Sequence, residues 1–179
     1  MPVTITPYKQ TKPSYVNFRG IQDIRNYTRI DKFVARGGQP QSTGQIADLK
    51  KDGVGLIVNF RTLGLPMIDF DEAAEAKRNG IKYVSLPMIS KKGPTDQDLA
   101  TFSTLMEDTR QKDGKAYIHC AWGKDRTGIM SAFYKLKYGL DNLGNCITEM
   151  ISRGHNPEQH PNLIPQLKDL AEKHFGITK

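Results

Sequence analysis

Cysteine is scarce: the 179 residues contain two, Cys120 and Cys146. One pair of thiols cannot staple a disulfide-rich fold, so stability has to come from an apolar core, which a chain of this length can bury. Long apolar runs are missing as well. None approaches the ~20 residues of a membrane span, and the opening "MPVTITPYKQTKPSYVNF" has no signal-peptide apolar core. The expected compartment is the cytoplasm; removal of an upstream export signal would make it periplasmic or secreted. Of the four histidines, His155 and His160 have no acidic or cysteine partners at metal-ligand spacing, so packing or surface roles are expected and no metal site. Acids are outnumbered: 19 Asp and Glu against 26 Lys and Arg leave a net charge of +7. That favours anionic partners such as phosphorylated molecules or an acidic membrane surface. Nucleic acid is not expected, because no recognised binding motif accompanies the charge.

What is present reads as a globular chain, 37% hydrophobic and 25% charged, with no internal repeat. Residues 1–26, with Pro2, Pro7 and Pro13, read as an extended arm, and 27–179 as one domain. "NYTRIDKFVARGGQP" suggests two short strands turning at Asp31-Lys32 and ending in a Gly-Gly-Gln-Pro break. Helices are expected in "STGQIADLKKDG", with Ser42 as N-cap, in "DFDEAAEAKRNG", and in "TDQDLATFSTLMEDTRQK", with Thr95 and Asp98 as a capping box. Strands are expected in "VGLIVNFRT", "IKYVSLPM" and "KAYIHC". "RTGIMSAFYKLKYG" predicts a helix with Ile129, Phe133, Leu136 and Leu140 on one face, and "NLGNCITEMISRG" and "NLIPQLKDLAEKHF" add two more. Strands alternating with helices argue for an α/β fold with a mostly parallel central sheet flanked by helices. Ligands of such sheets bind beyond the carboxyl ends of the strands.

"YIHCAWGKDRTGIM" lies at such an end. Cysteine attacks only as thiolate, and Cys120 stands in a turn before a helix N-terminus, where unpaired N–H groups favour an anion. Arg126, six residues on, can curl its planar fork back to face the sulfur and match two phosphate oxygens. Between them the N–H groups of Ala121, Trp122, Gly123, Lys124 and Asp125 can turn inward as an anion nest. Gly123 and Gly128 permit close backbone approaches. Thr127 can hydrogen-bond the sulfur, and His119 can steady the loop. A lone buried cysteine would be inert packing, but chance agreement of His, Gly, Arg, Thr and Gly at fixed offsets from one Cys is roughly one in a million.

"HCAWGKDRTG" resembles the signature of the cysteine-dependent protein tyrosine and dual-specificity phosphatases, His-Cys-x-x-Gly-x-x-Arg-Ser/Thr-Gly. "FVARGGQPQSTGQIADLKKDGVGLIVNFRT" is similar to the opening of the compact bacterial dual-specificity-like branch, and roughly residues 25–155 fit that pattern. The resemblance implies a protein tyrosine phosphatase-like fold and no metal or organic cofactor. It implies Cys120 as the nucleophile forming a phosphocysteine, Arg126 as the phosphate ligand and transition-state stabiliser, and Thr127 as the aid to thiolate departure.

The pattern departs at the general acid. Family members usually carry an aspartate on the loop after the strand equivalent to "KYVSLPM", and here Ile89 stands where it would be sought. Asp96 and Asp98 follow, with helix capping as their alternative role. Asp125, within the loop, is the favoured candidate, because it must lie near the phosphate; its alternative is to orient loop groups. A "GKDRT" loop is similar to that of phosphatases acting on phosphoinositides, in which a lysine at the position of Lys124 contacts extra phosphates. Lys91 and Lys92 would widen a basic mouth, or be solvated surface. Trp122 would stack on a substrate ring or cover the loop. Arg61 is expected to salt-bridge beneath the loop, with contact to substrate as its alternative, and Gln159 is a candidate for positioning water. The partners implied are phosphotyrosine proteins and phosphoinositides or inositol phosphates. A non-catalytic phosphate-binding module, or a redox or sulfur-transfer protein with Cys146 as resolving thiol, is the alternative class.

Overall fold

The structure, a computed structural model, describes residues 20–62 and 68–178. Most of the arm expected over 1–26 therefore lies outside the described residues. The chain enters through a 3-10 turn at Ile21–Asp23 and a hairpin of β1 (Thr28–Arg29) and β2 (Val34–Gly37), paired antiparallel. Asp31 closes the turn between them by accepting from the N–H groups of Phe33 and Val34. There follow α1 (Thr43–Lys51), β3 (Val54–Asn59), α2 (Glu72–Arg78), β4 (Lys82–Ser85), α3 (Asp96–Gln111), β5 (Lys115–His119), α4 (Asp125–Lys137), α5 (Leu143–Ser152) and α6 (Leu163–Phe175). The strand order is β1-β2-β5-β3-β4, parallel apart from β1, so β5 is central.

Alternation along the strands divides the core between the two faces of the sheet. Val34, Leu56, Val58, Ala116 and Ile118 point to one side and meet apolar residues of α3, α4, α5 and α6. Ala35, Ile57 and Tyr117 point to the other, against Ile46 and Leu49 of α1 and Ala76 of α2. Two helix starts follow the sequence signals, Ser42 Oγ accepting from Gln45 N and Thr95 and Asp98 forming a reciprocal capping box on α3, and Asp71 caps α2.

The helix after the motif differs from expectation. It ends at Lys137, and Leu140, expected on its buried face, is exposed. Gly139, with φ 62°, turns the chain away before Leu140 could continue the helix. Nor is there one apolar face: every residue from Thr127 to Tyr134 is buried, because α4 lies between the sheet and the pair α5 and α6.

Candidate active site

The loop Cys120–Lys124 leaves the carboxyl end of the central strand and enters α4. Its shape depends on a backbone crossing. Gly123 has φ 71°, and a Cβ there would lie 2.5 Å from the carbonyl carbon of Gly37, 2.7 Å from its oxygen and 2.8 Å from Gly38 N. At Gly37 a Cβ would in turn run into the Tyr117 hydroxyl. The Gly-Gly pair read in the sequence as a break is thus where the end of β2 presses on the loop. Gln39 N donates to the Ala121 carbonyl at 3.2 Å across the same contact.

The loop carbonyls are held from outside. Arg36, buried on β2, donates from Nη2 to the Gly123 carbonyl at 2.6 Å and pairs through Nη1 with Glu149 at 3.3 Å. Burial lowers the Arg36 guanidinium to about 10, although Glu149 opposes the shift. Asn26 Nδ2 donates to the Trp122 carbonyl at 3.0 Å. Carbonyls engaged on the outer side leave the peptide N–H groups free to face the other way, as an anion nest needs.

Cys120 is buried at 3% exposure. Behind it His119 places Nδ1 3.1 Å from the Cys120 carbonyl and Nε2 2.8 Å from Glu72 Oε1, off the line of a hydrogen bond. Burial would raise the Glu72 carboxyl; the close approach of His119, the hydrogen bond from Gln39 and the Arg61 charge outweigh it and hold the group below its ordinary value. Gln39 donates to Glu72 at 2.9 Å and accepts from Arg61, which joins the three in one network. Glu72, the first residue of α2 and unremarked in the sequence, is a buried member of the network.

Arg126 directs Nη1 to the Phe60 carbonyl at 3.3 Å, while its Nε is buried without a hydrogen-bond partner among the described residues. Thr127 is fully buried, and its hydroxyl donates to the Gly37 carbonyl at 3.4 Å. Gly128 packs on Met150, where a Cβ would come within 3.2 Å of its Cγ. Lys124 runs its stem across Gly154. Trp122 is 41% exposed, with the Arg25 guanidinium 3.9 Å from its ring centre. Lys91 and Lys92 are exposed, as is Ile89.

The carboxylates separate. Asp98 is spent on the capping box, and Asp96 makes two hydrogen bonds with Lys173 of α6, at 2.7 and 2.8 Å. Asp125, at the first position of α4, meets two histidines instead. Its Oδ1 is 2.6 Å from His155 Nδ1, and its Oδ2 is 3.5 Å from His160 Nε2. The surface or packing roles expected for these histidines are therefore corrected. Their acid lies 30 residues upstream of His155 and 35 upstream of His160, where no local spacing would find it. Gln159 is exposed, with its N–H on the Asn156 carbonyl.

Cys146 is buried on α5, and burial pushes its thiol up to about 11, which suits packing better than exchange. A cleft lined by Gly20, Ile21, Gln22, Asp48, Lys51 and Asp52 shares no residue with the loop. Among the described residues no group of three or more His, Cys, Asp or Glu is placed to hold a metal, and no helix is long and apolar enough to cross a membrane.

Comparison with known proteins places this geometry. A DUF442 protein from Shewanella putrefaciens CN-32 superposes with a TM-score of 0.72 at 22% identity, covering 86% of this chain and 96% of its own. A variant of TpbA from P. aeruginosa, solved with phosphotyrosine, gives 0.65 at 18% identity, covering 83% and 89%. PTPMT1, solved with PI(5)P, gives 0.67 at 19% identity, covering 82% and 95%. A search of curated proteins returns no match. The family model of the Swiss Army Knife protein DSP-PTPase phosphatase domain, PTP-SAK, matches residues 25–164, and the chain belongs to this family of phosphatases.

Proposed function

We propose that the chain hydrolyses phosphate monoesters in two steps through a phosphocysteine on Cys120, with phosphotyrosine and phosphoinositides or inositol phosphates as substrate classes. The observation that carries this reading is the buried Nε of Arg126, which has no hydrogen-bond partner among the described residues. A buried guanidinium N–H without a partner is costly, and a phosphate oxygen held by the loop amides would complete it. In this reading Cys120 attacks phosphorus and the N–H groups of Ala121, Trp122, Gly123 and Lys124 bind the equatorial oxygens. Arg126 stabilises the charge that develops there. Thr127 and Gly128 shape the floor, Thr127 assists thiolate departure, and Asp125 protonates the leaving oxygen. The mechanism uses no cofactor.

Two features support the substrate classes. Lys124, Lys91 and Lys92 give the mouth the positive charge that a multiply phosphorylated ring would seek. Trp122, backed by Arg25, offers an exposed aromatic face to a phosphotyrosine or inositol ring. Fold relatives were solved with a ligand of each class. Contact with an acidic membrane surface would accompany the lipid substrate, with exposed Ile89 beside the two lysines. The test is kcat/KM on a panel of phosphotyrosine peptides, phosphoserine peptides, phosphoinositides and soluble inositol phosphates, with Cys120→Ser as control. Turnover of the first or the last two classes, abolished in Cys120→Ser, is expected. Hydrolysis that survives Cys120→Ser would refute the mechanism, and a preference for phosphoserine would refute the substrate assignment.

A further inference from the structure

A departing alkoxide needs a proton, and the neighbourhood of the loop offers few sources. Residues 86–95, between β4 and α3, contain no carboxylate, and Asp96 and Asp98 are committed to Lys173 and to the α3 cap. Asp125 remains, the first residue of α4, but alone it has nothing from which to replace a proton it gives.

The two histidines change this, and they are not equivalent. His155 follows α5, anchored by its N–H on the Met150 carbonyl. Its side chain is fully buried, Nδ1 is on Asp125, and Nε2 has no partner among the described residues. It fixes Oδ1 and has no route to water. His160 is 18% exposed, with Nε2 towards Asp125 Oδ2 and Nδ1 3.4 Å from the Ser90 hydroxyl. The turn carrying both rings is tied to the loop after β4, where Asn162 Nδ2 donates to the Lys91 carbonyl at 3.4 Å and Gln166 Nε2 to the Pro94 carbonyl at 2.8 Å. His160 thus stands between Asp125 and the solvent at the mouth.

We propose that His160 is a positioning residue that keeps Asp125 supplied with a proton, with His155 as the fixed anchor of the carboxylate. This rests on the phosphatase reading with Asp125 as acid. Two titrating groups in contact share a proton, so the pair His160–H⁺ with Asp125⁻ and the pair neutral His160 with Asp125–H carry the same total charge. A histidine holds its proton to higher pH than a carboxyl does. In the first step the Cys120 sulfur forms a bond to phosphorus, and the bond from phosphorus to the leaving oxygen breaks with its electron pair on oxygen. The shared proton passes from His160 to Asp125 and on to that oxygen, leaving neutral His160 and the Asp125 carboxylate. In the second step water attacks the phosphocysteine, its proton passes through Asp125 back to His160, and the S–P bond breaks to return the thiolate and release inorganic phosphate. Asp125 faces His155 and His160 and lies between Lys124 and Arg126 in the chain. His160 faces Asp125, His155 at 6.1 Å between ring centres, and the uncharged Ser90.

The experiment measures kcat against pH for wild type, His160→Gln and His160→Asn, on an alkyl phosphate and on an aryl phosphate with an acidic phenol. An amide can bond to Asp125 but cannot carry the extra proton. Inorganic vanadate binding reports on the loop. The expected result is retained vanadate binding, an alkaline limb for the alkyl substrate that moves down by about one pH unit or more, and a loss at neutral pH at least about tenfold greater on the alkyl than on the aryl substrate. An unmoved limb with an unchanged substrate ratio would overturn the proposal while leaving the phosphatase intact. Equal loss on both substrates together with lost vanadate binding in both variants would overturn it too, because His160 would then hold the loop rather than supply a proton. Failure of wild type to hydrolyse either ester would refute the phosphatase reading itself, and the proposal with it.

Discussion

Alanine at Gly123 should cripple the loop, and a second glycine makes the cause measurable. Gly123 and Gly139 have nearly the same backbone, φ 71° and 62°. Alanine in this left-handed region costs about 1–2 kcal/mol, and both substitutions remove a similar amount of freedom from the unfolded chain. The surroundings differ. At Gly139 an added Cβ meets nothing within 4 Å, whereas at Gly123 it overlaps three backbone atoms of Gly37 and Gly38 at 2.5–2.8 Å. None belongs to a side chain that could swing away. Overpacking of this kind costs about 1–3 kcal/mol, so Gly123→Ala should be destabilised by about 2–5 kcal/mol and Gly139→Ala by about 1–2 kcal/mol. Urea unfolding of both variants gives the difference, and vanadate affinity reports the loop: lost in Gly123→Ala, retained in Gly139→Ala. Equal destabilisation, with vanadate binding intact in both, would refute the claim that the crossing with β2 shapes the phosphate loop.

Other outcomes follow from individual side chains. Asp125→Asn should depress turnover of poor leaving groups far more than of an activated aryl phosphate, whereas Asp96→Asn, which only loosens an exposed pair with Lys173, should show little leaving-group dependence; the same kinetic series on both variants checks this. Native chain treated with iodoacetamide near pH 8 should be labelled at Cys120 and not at Cys146, whose thiol is raised to about 11, and peptide mass spectrometry reads the site. Acid should weaken the fold in a defined window. Glu72 and Glu149 both titrate below their ordinary value when folded, so their contribution is present above an unfolded pKa of about 4.3 and is lost as pH falls through the lower folded values. Replacing Glu72 with Gln should flatten the loss of stability between about pH 5 and pH 3, as measured by urea midpoints at each pH.

The parts of the molecule legible in the sequence were those governed by neighbours along the chain. Ser42 and the Thr95–Asp98 pair announce helix starts because a cap acts over three residues. The strand runs of β3 and β5 show because burial on both faces leaves little room for polar residues. The phosphate loop shows because Cys120, Gly123, Arg126 and Gly128 fall within nine residues. What stayed hidden depends on distant segments. Glu72 carries no local sign of its place against His119, 47 positions away in sequence and 2.8 Å in space. Arg36 looks like any strand arginine until β2 is laid beside β5 and its guanidinium meets the Gly123 carbonyl. His155 and His160 were judged against nearby acids, while their partner begins the helix two elements earlier. Leu140 failed differently: periodicity carried it into a helix that Gly139 had already ended.

The most direct test of the central claim is to stop turnover of an aryl phosphate by rapid acid quench and map the phosphate in a protein digest. Phosphate on the peptide that carries Cys120, accumulating at the rate of the first chemical step and missing in Cys120→Ser, is the result this account predicts. Hydrolysis that proceeds at the wild-type rate with no phosphate on Cys120 at any time point would contradict it.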